Sequence, residues 1–139
     1  MNPQGVDTME RRTINPWQWQ EKLGYSQAIE VTRGERVLYL AGQTSTDANG
    51  QPRHPGDMRA QLGAALDNVE AVLRAGGYDL SHVVRMNYYT VDIPSFFAHY
   101  AVLTERLAAA GCVPSGTLLG VTRLARPELL VEIEATAVR

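Results

Sequence analysis

Val131-Glu132-Ile133-Glu134-Ala135-Thr136-Ala137-Val138 alternates apolar and polar side chains with a period of two. That is the pattern of a strand in a sheet with one buried face, and it extends the segment Leu129 to Val138 into the last strand of the chain. Glu132, Glu134 and Thr136 must then look away from the core. Working back from there, Thr117 to Leu124 reads as a short strand. Phe96, Phe97, Tyr100, Leu103 and Leu107 give the segment before it the apolar stripe of a helix. Asp92-Ile93-Pro94 opens that helix and Gly111 ends it. Val83 to Val91, rich in valine, tyrosine and threonine, is a strand. Met58, Leu62, Ala65, Leu66, Val69, Val72 and Leu73 recur at helical spacing, with Asp57 as N-cap and Gly76-Gly77 as stop. Ser26 to Glu30 and Val37 to Leu40 read as two strands of a hairpin about Arg33-Gly34-Glu35.

The order strand, strand, helix, strand, helix, strand, strand predicts an α+β two-layer sandwich, with two helices on one face of the sheet. The 139 residues, 45% of them hydrophobic, suffice for one core and one domain. We place that domain at 15–139, after a disordered or extended leader over 1–14 with charges, Pro3 and Gly5 but no periodicity. Leu38, Leu40, Met86, Tyr88, Leu119 and Val121 share strand faces only in part, which leaves apolar surface for an oligomer to bury. The net charge of -2, from 13 basic and 15 acidic residues, offers no basic face for a nucleic acid. No apolar run approaches the roughly 18 residues of a membrane span. A single cysteine and a polar N-terminal stretch fit a reducing cytoplasm.

Five short motifs carry a resemblance. Gly24-Tyr25-Ser26-Gln27-Ala28, Leu40-Ala41-Gly42-Gln43, Asp67-Asn68-Val69, His82-Val83-Val84-Arg85 and Val131-Glu132-Ile133-Glu134-Ala135 stand in the order and spacing of the RidA (YjgF) family. The chain resembles that family from about residue 20 to its end. The resemblance implies the chorismate-mutase-like fold of the family, with a mixed, largely antiparallel sheet. It also implies a homotrimer whose sheets meet around a three-fold axis, with ligand clefts between subunits.

Tyr25 lies in an apparent turn where a phenol can present its hydroxyl to a cleft, or simply sit half-buried at an element edge. The resemblance favours the cleft. Glu132 and Glu134 share one face of the last strand, about 6.6 Å apart by strand rise, a separation at which two carboxylates can act as acid and base. From the residues alone the stronger reading is a solvated or salt-bridged face, the usual role of alternating glutamates on a terminal strand. Only Glu132 matches the family position credited with orienting a water or accepting a proton, and Glu134 is read as structural. By the same resemblance Gly42 belongs to the ligand site.

The departure from the family falls at Pro114-Ser115-Gly116-Thr117. Deaminating members read Pro-Ala-Arg-Ser there, and the arginine's planar fork grips the substrate carboxylate. Gly116 supplies a backbone N–H and space but no charge. Loss of a charge-assisted contact costs about 1.5 to 3 kcal/mol, or about a hundredfold in affinity for 2-imino acids. Tyr100 stands where the family often has asparagine, making the cleft more aromatic. Ser115 and Thr117 offer hydroxyls to an uncharged polar group, or satisfy their own turn. Arg85 and Arg123 could in principle replace the missing charge from nearby strands, but read better as solvated strand-face charges or interfacial pairs. His54, His82 and His99 are dispersed and Cys112 stands alone, so neither a metal site nor a cofactor is expected. Cys112 reads as an idle thiol. Trp17 and Trp19 precede the domain as a packed arm or part of a lid.

The expected function is therefore an imine hydrolase or deaminase with altered substrate, acting on a C=N or related bond with Tyr25 and Glu132 as catalytic groups. Gly42, Tyr100, Ser115, Gly116 and Thr117 are its ligand-binding residues. A non-catalytic metabolite-binding or interaction protein is the alternative. An endoribonuclease has the least physical support, because no basic groove and no histidine pair are visible.

Overall fold

Residues 9–139 are described by the computed structural model, and what was read for residues 1–8 lies outside them. Glu10–Ile14, at the end of the expected leader, form strand β1, which pairs antiparallel with β2 (Ala28–Thr32) in a two-stranded ribbon. The hairpin expected between Ser26–Glu30 and Val37–Leu40 is not formed. Strand β3 (Val37–Tyr39) instead runs antiparallel to the end of the last strand, Val37 facing Val138 and Tyr39 facing Thr136. The turn at Arg33, with φ 58°, hands the chain over: the amides of Glu35 and Arg36 both donate to the Arg139 carbonyl. Gly34 approaches the same strand so closely that a Cβ on it would sit 2.6 Å from Val138. Local propensity marks both segments as strands but does not select their partners.

A short β4 (Gln43–Thr44) also pairs with the last strand. Helix α1 (Met58–Ala75) follows, capped by the Asp57 carboxylate, which accepts from the Ala60 amide. Its buried stripe contains the expected Met58, Leu62, Ala65, Leu66, Val69 and Leu73. Strand β5 (Val83–Thr90) leads to an Asp92 N-cap and then to two short helices where one was expected, α2 (Ile93–Ala98) and α3 (Ala101–Ala109). The break falls at His99 and Tyr100, where the Tyr100 hydroxyl is tied to the Leu23 carbonyl at 2.9 Å. The strand expected over Thr117 to Leu124 is regular only at β6 (Leu118–Gly120), and β7 (Val131–Val138) closes the fold.

The main sheet runs β3-β7-β5-β6, antiparallel except for the parallel pair β5 and β6. This is the α+β sandwich expected, with the helices on one face. Val131, Ile133, Ala135 and Ala137 of β7 and Val83 and Met86 of β5 meet the α1 stripe in a single core. Truncating a fully buried member such as Leu66 to alanine costs about 2–5 kcal/mol. Two side-chain amides, the buried Gln61 and the half-buried Asn68, fasten the loops to this core. Gln61 donates to the His54 and Glu128 carbonyls and accepts from the Leu130 amide, while Asn68 donates to the Thr44 and Thr46 carbonyls at 2.9 and 3.1 Å. No helix among the described residues is long and apolar enough to cross a membrane.

The other sheet face is polar. Tyr89 faces Glu132 and Asn87 faces Glu134 across β5 and β7, so period-2 alternation puts all four, with Arg85, on the side away from the helices. Tyr39, Leu119 and Val37, 79%, 49% and 47% exposed, are large apolar side chains on it.

Candidate functional site

A cleft of about 220 Å³ opens at the β6 edge of the sheet. Its floor and one wall are aromatic, from Tyr88 on β5, Phe96 and Phe97 on α2, and Tyr100 at the helix break. These rings pack edge-on or tilted, with centroids 5.4 to 6.5 Å apart, so they hold one another in place. The second wall is Leu23, Gly24 and Tyr25, which follow a single helical turn at Glu21–Leu23. Gly24 sits at φ 78°, a left-handed conformation suited to glycine, and turns the chain so that Tyr25 faces the cleft. The opposing edge is Pro114, Ser115, Gly116 and Thr117. The Ser26 amide donates to the Pro114 carbonyl at 3.0 Å, and the Ser26 hydroxyl to the Val113 carbonyl, stitching the tyrosine wall to that edge.

Tyr25, Tyr100, Ser115, Gly116 and Thr117 are thus brought together, as read from the sequence. Glu132 and Gly42 are not. Glu132 projects from the polar face of the sheet, where its carboxylate occupies the space a Gly42 side chain would take: a Cβ there would lie 1.9 Å from Oε2. Gly42 leaves room for Glu132 and does not line the cleft. In one chain the proposed acid–base carboxylate and the cleft tyrosine lie on opposite faces of the sheet.

The surroundings of Gly116 differ from the open space expected. A Cβ built on it would lie 1.9 Å from the Met86 carbonyl oxygen, which is backbone and cannot swing aside. The cause is an irregular ladder. Ser115 is paired normally, its amide to the Val84 carbonyl at 3.1 Å and its carbonyl to the Met86 amide at 2.9 Å. A regular parallel ladder would then send the Thr117 amide to Met86 O. It goes instead to Asn87 Oδ1 at 3.1 Å, and the chain at Gly116 presses in on Met86. The Gly116 N–H and the Tyr25 hydroxyl take no hydrogen bond among the described residues, so both can serve a ligand.

Asn87, missed in the sequence reading, is the hinge of this arrangement. Its amide nitrogen donates to Glu134 at 3.1 Å while its oxygen holds Thr117. An asparagine inside a strand of valines and tyrosines is a poor strand former and was the available signal. The Tyr89 hydroxyl, then Asn87, hold the Glu134 carboxyl below its ordinary value by hydrogen bonding to the charged form. The same bond, with Tyr89 as donor, pushes the Tyr89 phenol up. Glu134 is thereby tied to Tyr89 and Asn87 on the polar face of the sheet. Arg85 donates to Thr117 Oγ1 at 3.2 Å, on the polar side of the strand. No charged side chain lines the cleft among the described residues.

The remaining reactive groups lie elsewhere. Cys112 is buried, and burial pushes its thiol up to about 12, where it stays protonated. The His82 ring accepts from the Asp79 amide and His99 meets the Ser95 carbonyl. Among the described residues no three histidine, cysteine or acidic side chains are grouped to hold a metal.

A sandwich of this topology, with a ring-lined cleft between a Gly-Tyr-Ser turn and a parallel edge strand, has the fold of the Rid type. The sequence model described as endoribonuclease L-PSP matches residues 19–139, and the chain belongs to that family, the RidA (YjgF) group. It is 34% identical over 131 residues to protein DfrA of Myxococcus xanthus, covering 94% of this chain and 97% of the relative. It is 30% identical over 115 residues to the 2-iminobutanoate/2-iminopropanoate deaminase of Mus musculus, covering 83% and 81%. Among solved structures, the Rid-family protein YyfB of Yersinia pestis, described as of unknown function, superposes with a TM-score of 0.80 at 37% identity over 93% of this chain and 98% of that one. The YjgF gene product of E. coli gives 0.67 at 26% identity, over 83% and 87%.

Proposed function

We propose that this protein binds a small metabolite in the cleft beside Gly116 and hydrolyses a C=N or related bond there, as a cytoplasmic homotrimer with clefts completed between subunits. The observation that carries this reading is the pairing of two unused donors, the Tyr25 hydroxyl and the Gly116 N–H, in one cleft whose walls carry no charge. A hydrogen bond from Tyr25 to the imine nitrogen would draw electron density from the carbon that water attacks. The Gly116 N–H would fix a polar substituent beside it. The general base is Glu132. Because it lies across the sheet from Tyr25 within one chain, it would have to come from a neighbouring subunit, which the trimer implied by the family resemblance provides. The single domain is assigned to 15–139, and a reducing compartment suits its one thiol.

Efficient deamination of 2-imino acids is not part of this proposal. The relative named for that activity acts on carboxylates, and here the position of the gripping arginine is a glycine that leaves no room for a side chain. Ammonia release from imines generated in place, compared between the protein and Glu132→Gln, tests the reaction. Turnover that disappears in the variant while the oligomer persists in size-exclusion chromatography is expected. Unchanged turnover removes Glu132 from the mechanism.

The uncharged cleft equally favours a second reading, a protein that binds its metabolite without converting it. Tight binding with no chemical change in the recovered ligand would establish it. RNA cleavage is a third reading, disfavoured because the cleft offers no cation for phosphates.

A further inference from the structure

We infer that the ligand class of this cleft is a neutral molecule built on a flat aromatic ring with a small polar head, such as an aryl imine or aryl carboxamide, and not an aliphatic 2-imino acid. This rests on the cleft being the ligand site, as proposed above, and adds the chemistry of its occupant. Phe97 and Tyr100 present rings held in place by tilted and edge-on contacts with the buried Tyr88 and Phe96 behind them, a surface that rewards a flat π-system with ring contact as well as burial. Phe97 is 52% exposed although it borders the cleft, so an apolar face is left there for a ligand to cover. Trp19 extends the aromatic surface outward: it meets Tyr25 edge-on at 6.3 Å and is itself 59% exposed.

The polar equipment is equally selective. Tyr25, with its unpaired hydroxyl, and Gly116, with its unpaired N–H, both line the cleft, and among the described residues no lysine, arginine or histidine does so to repay the desolvation of a carboxylate. An amide or imine head uses these donors without that penalty. A volume of about 220 Å³ is below the range of drug-sized pockets, and suits a single ring with its head group.

The test uses the full chain and the two tryptophans, both in the segment that borders Tyr25, as reporters. Benzamide, benzoate, cyclohexanecarboxamide and pyruvate are titrated into ¹⁵N-labelled protein, with Trp17→Phe to assign the Trp19 indole signal. Benzamide should shift the Trp19 indole and the Gly116 amide. It should bind at least about tenfold more tightly than benzoate or cyclohexanecarboxamide, and Phe97→Ala should weaken it by about tenfold. If pyruvate or benzoate shifts Gly116 as strongly as benzamide, the cleft stands as the ligand site, a cation reaches it from a neighbouring copy, and the neutral-aromatic assignment is overturned. If cyclohexanecarboxamide equals benzamide, the ring assignment is overturned. If none of the four shifts Gly116 or Trp19, the cleft reading falls together with this one.

Discussion

Gly116 lies so close beneath Met86 that a Cβ on it would stand 1.9 Å from the Met86 carbonyl oxygen. Gly116 is therefore more than a trimmed side chain, because the Met86 backbone occupies the space where a side chain would begin. Restoring a side chain should not restore a carboxylate grip. Gly116→Ala is expected to cost about 1–3 kcal/mol by overpacking against backbone, and Gly116→Arg at least as much with no gain in imino acid turnover. Thermal unfolding of the two variants beside the parent checks this, and a Gly116→Arg protein of parental stability would refute it.

The bend at Gly116 depends on Asn87, which takes the Thr117 amide out of the ladder and holds Glu134 with its other end. Asn87→Ala should destabilise by about 1–3 kcal/mol through the polar partners it leaves. Hydrogen exchange at the Thr117 amide should quicken by more than the change in global stability alone requires.

Tyr89 and Asn87 hold the Glu134 carboxyl below its ordinary value of 4.5. A carboxylate depressed in the folded state adds stability above its unfolded value, and that stability is lost as pH falls through the lower folded value. Tyr89→Phe removes the larger cause, so the Glu134 pKa should rise toward 4.5 and the acid arm of the stability profile should flatten. A carbon-detected NMR titration of Glu134 in both proteins checks it.

How much of this was legible in the sequence differs by level. Helix α1, its Asp57 cap and the alternation of β7 were legible because each is set by neighbours a few residues apart. The pairing of β3 with β7 was not, since it depends on the Gly34 contact with Val138, far away in the chain. Tyr25, Tyr100 and Ser115 to Thr117, named from motifs, line one cleft in the structure. The placement of Glu132 over Gly42, across the sheet from Tyr25, follows from register, which no motif encodes. The exclusion of a side chain at Gly116 follows from a single diverted hydrogen bond.

Tyr100 ties the helix break to the tyrosine wall through its bond to the Leu23 carbonyl at 2.9 Å. Tyr100→Phe should cost about 0.5–1.5 kcal/mol and loosen residues 23–25. Faster amide exchange at Gly24 and Tyr25, with that of β7 changed little, is the expected result.

If the site joins Tyr25 of one subunit to Glu132 of the next, the two defects must complement. Tyr25→Phe and Glu132→Gln proteins, each inactive, should regain about a quarter of parental turnover when unfolded together and refolded in equal amounts, as random mixing in a cyclic trimer requires. Mixtures as inactive as their components would contradict a site shared between subunits.

The most direct test of the central claim, a cleft without a cation, is ammonia release from freshly generated 2-iminobutanoate, measured side by side with the mouse deaminase. The loss of one charge-assisted grip predicts a kcat/KM lower by about a hundredfold or more. A value within a few-fold of the mouse enzyme would show that a cation holds the carboxylate after all and would contradict the account.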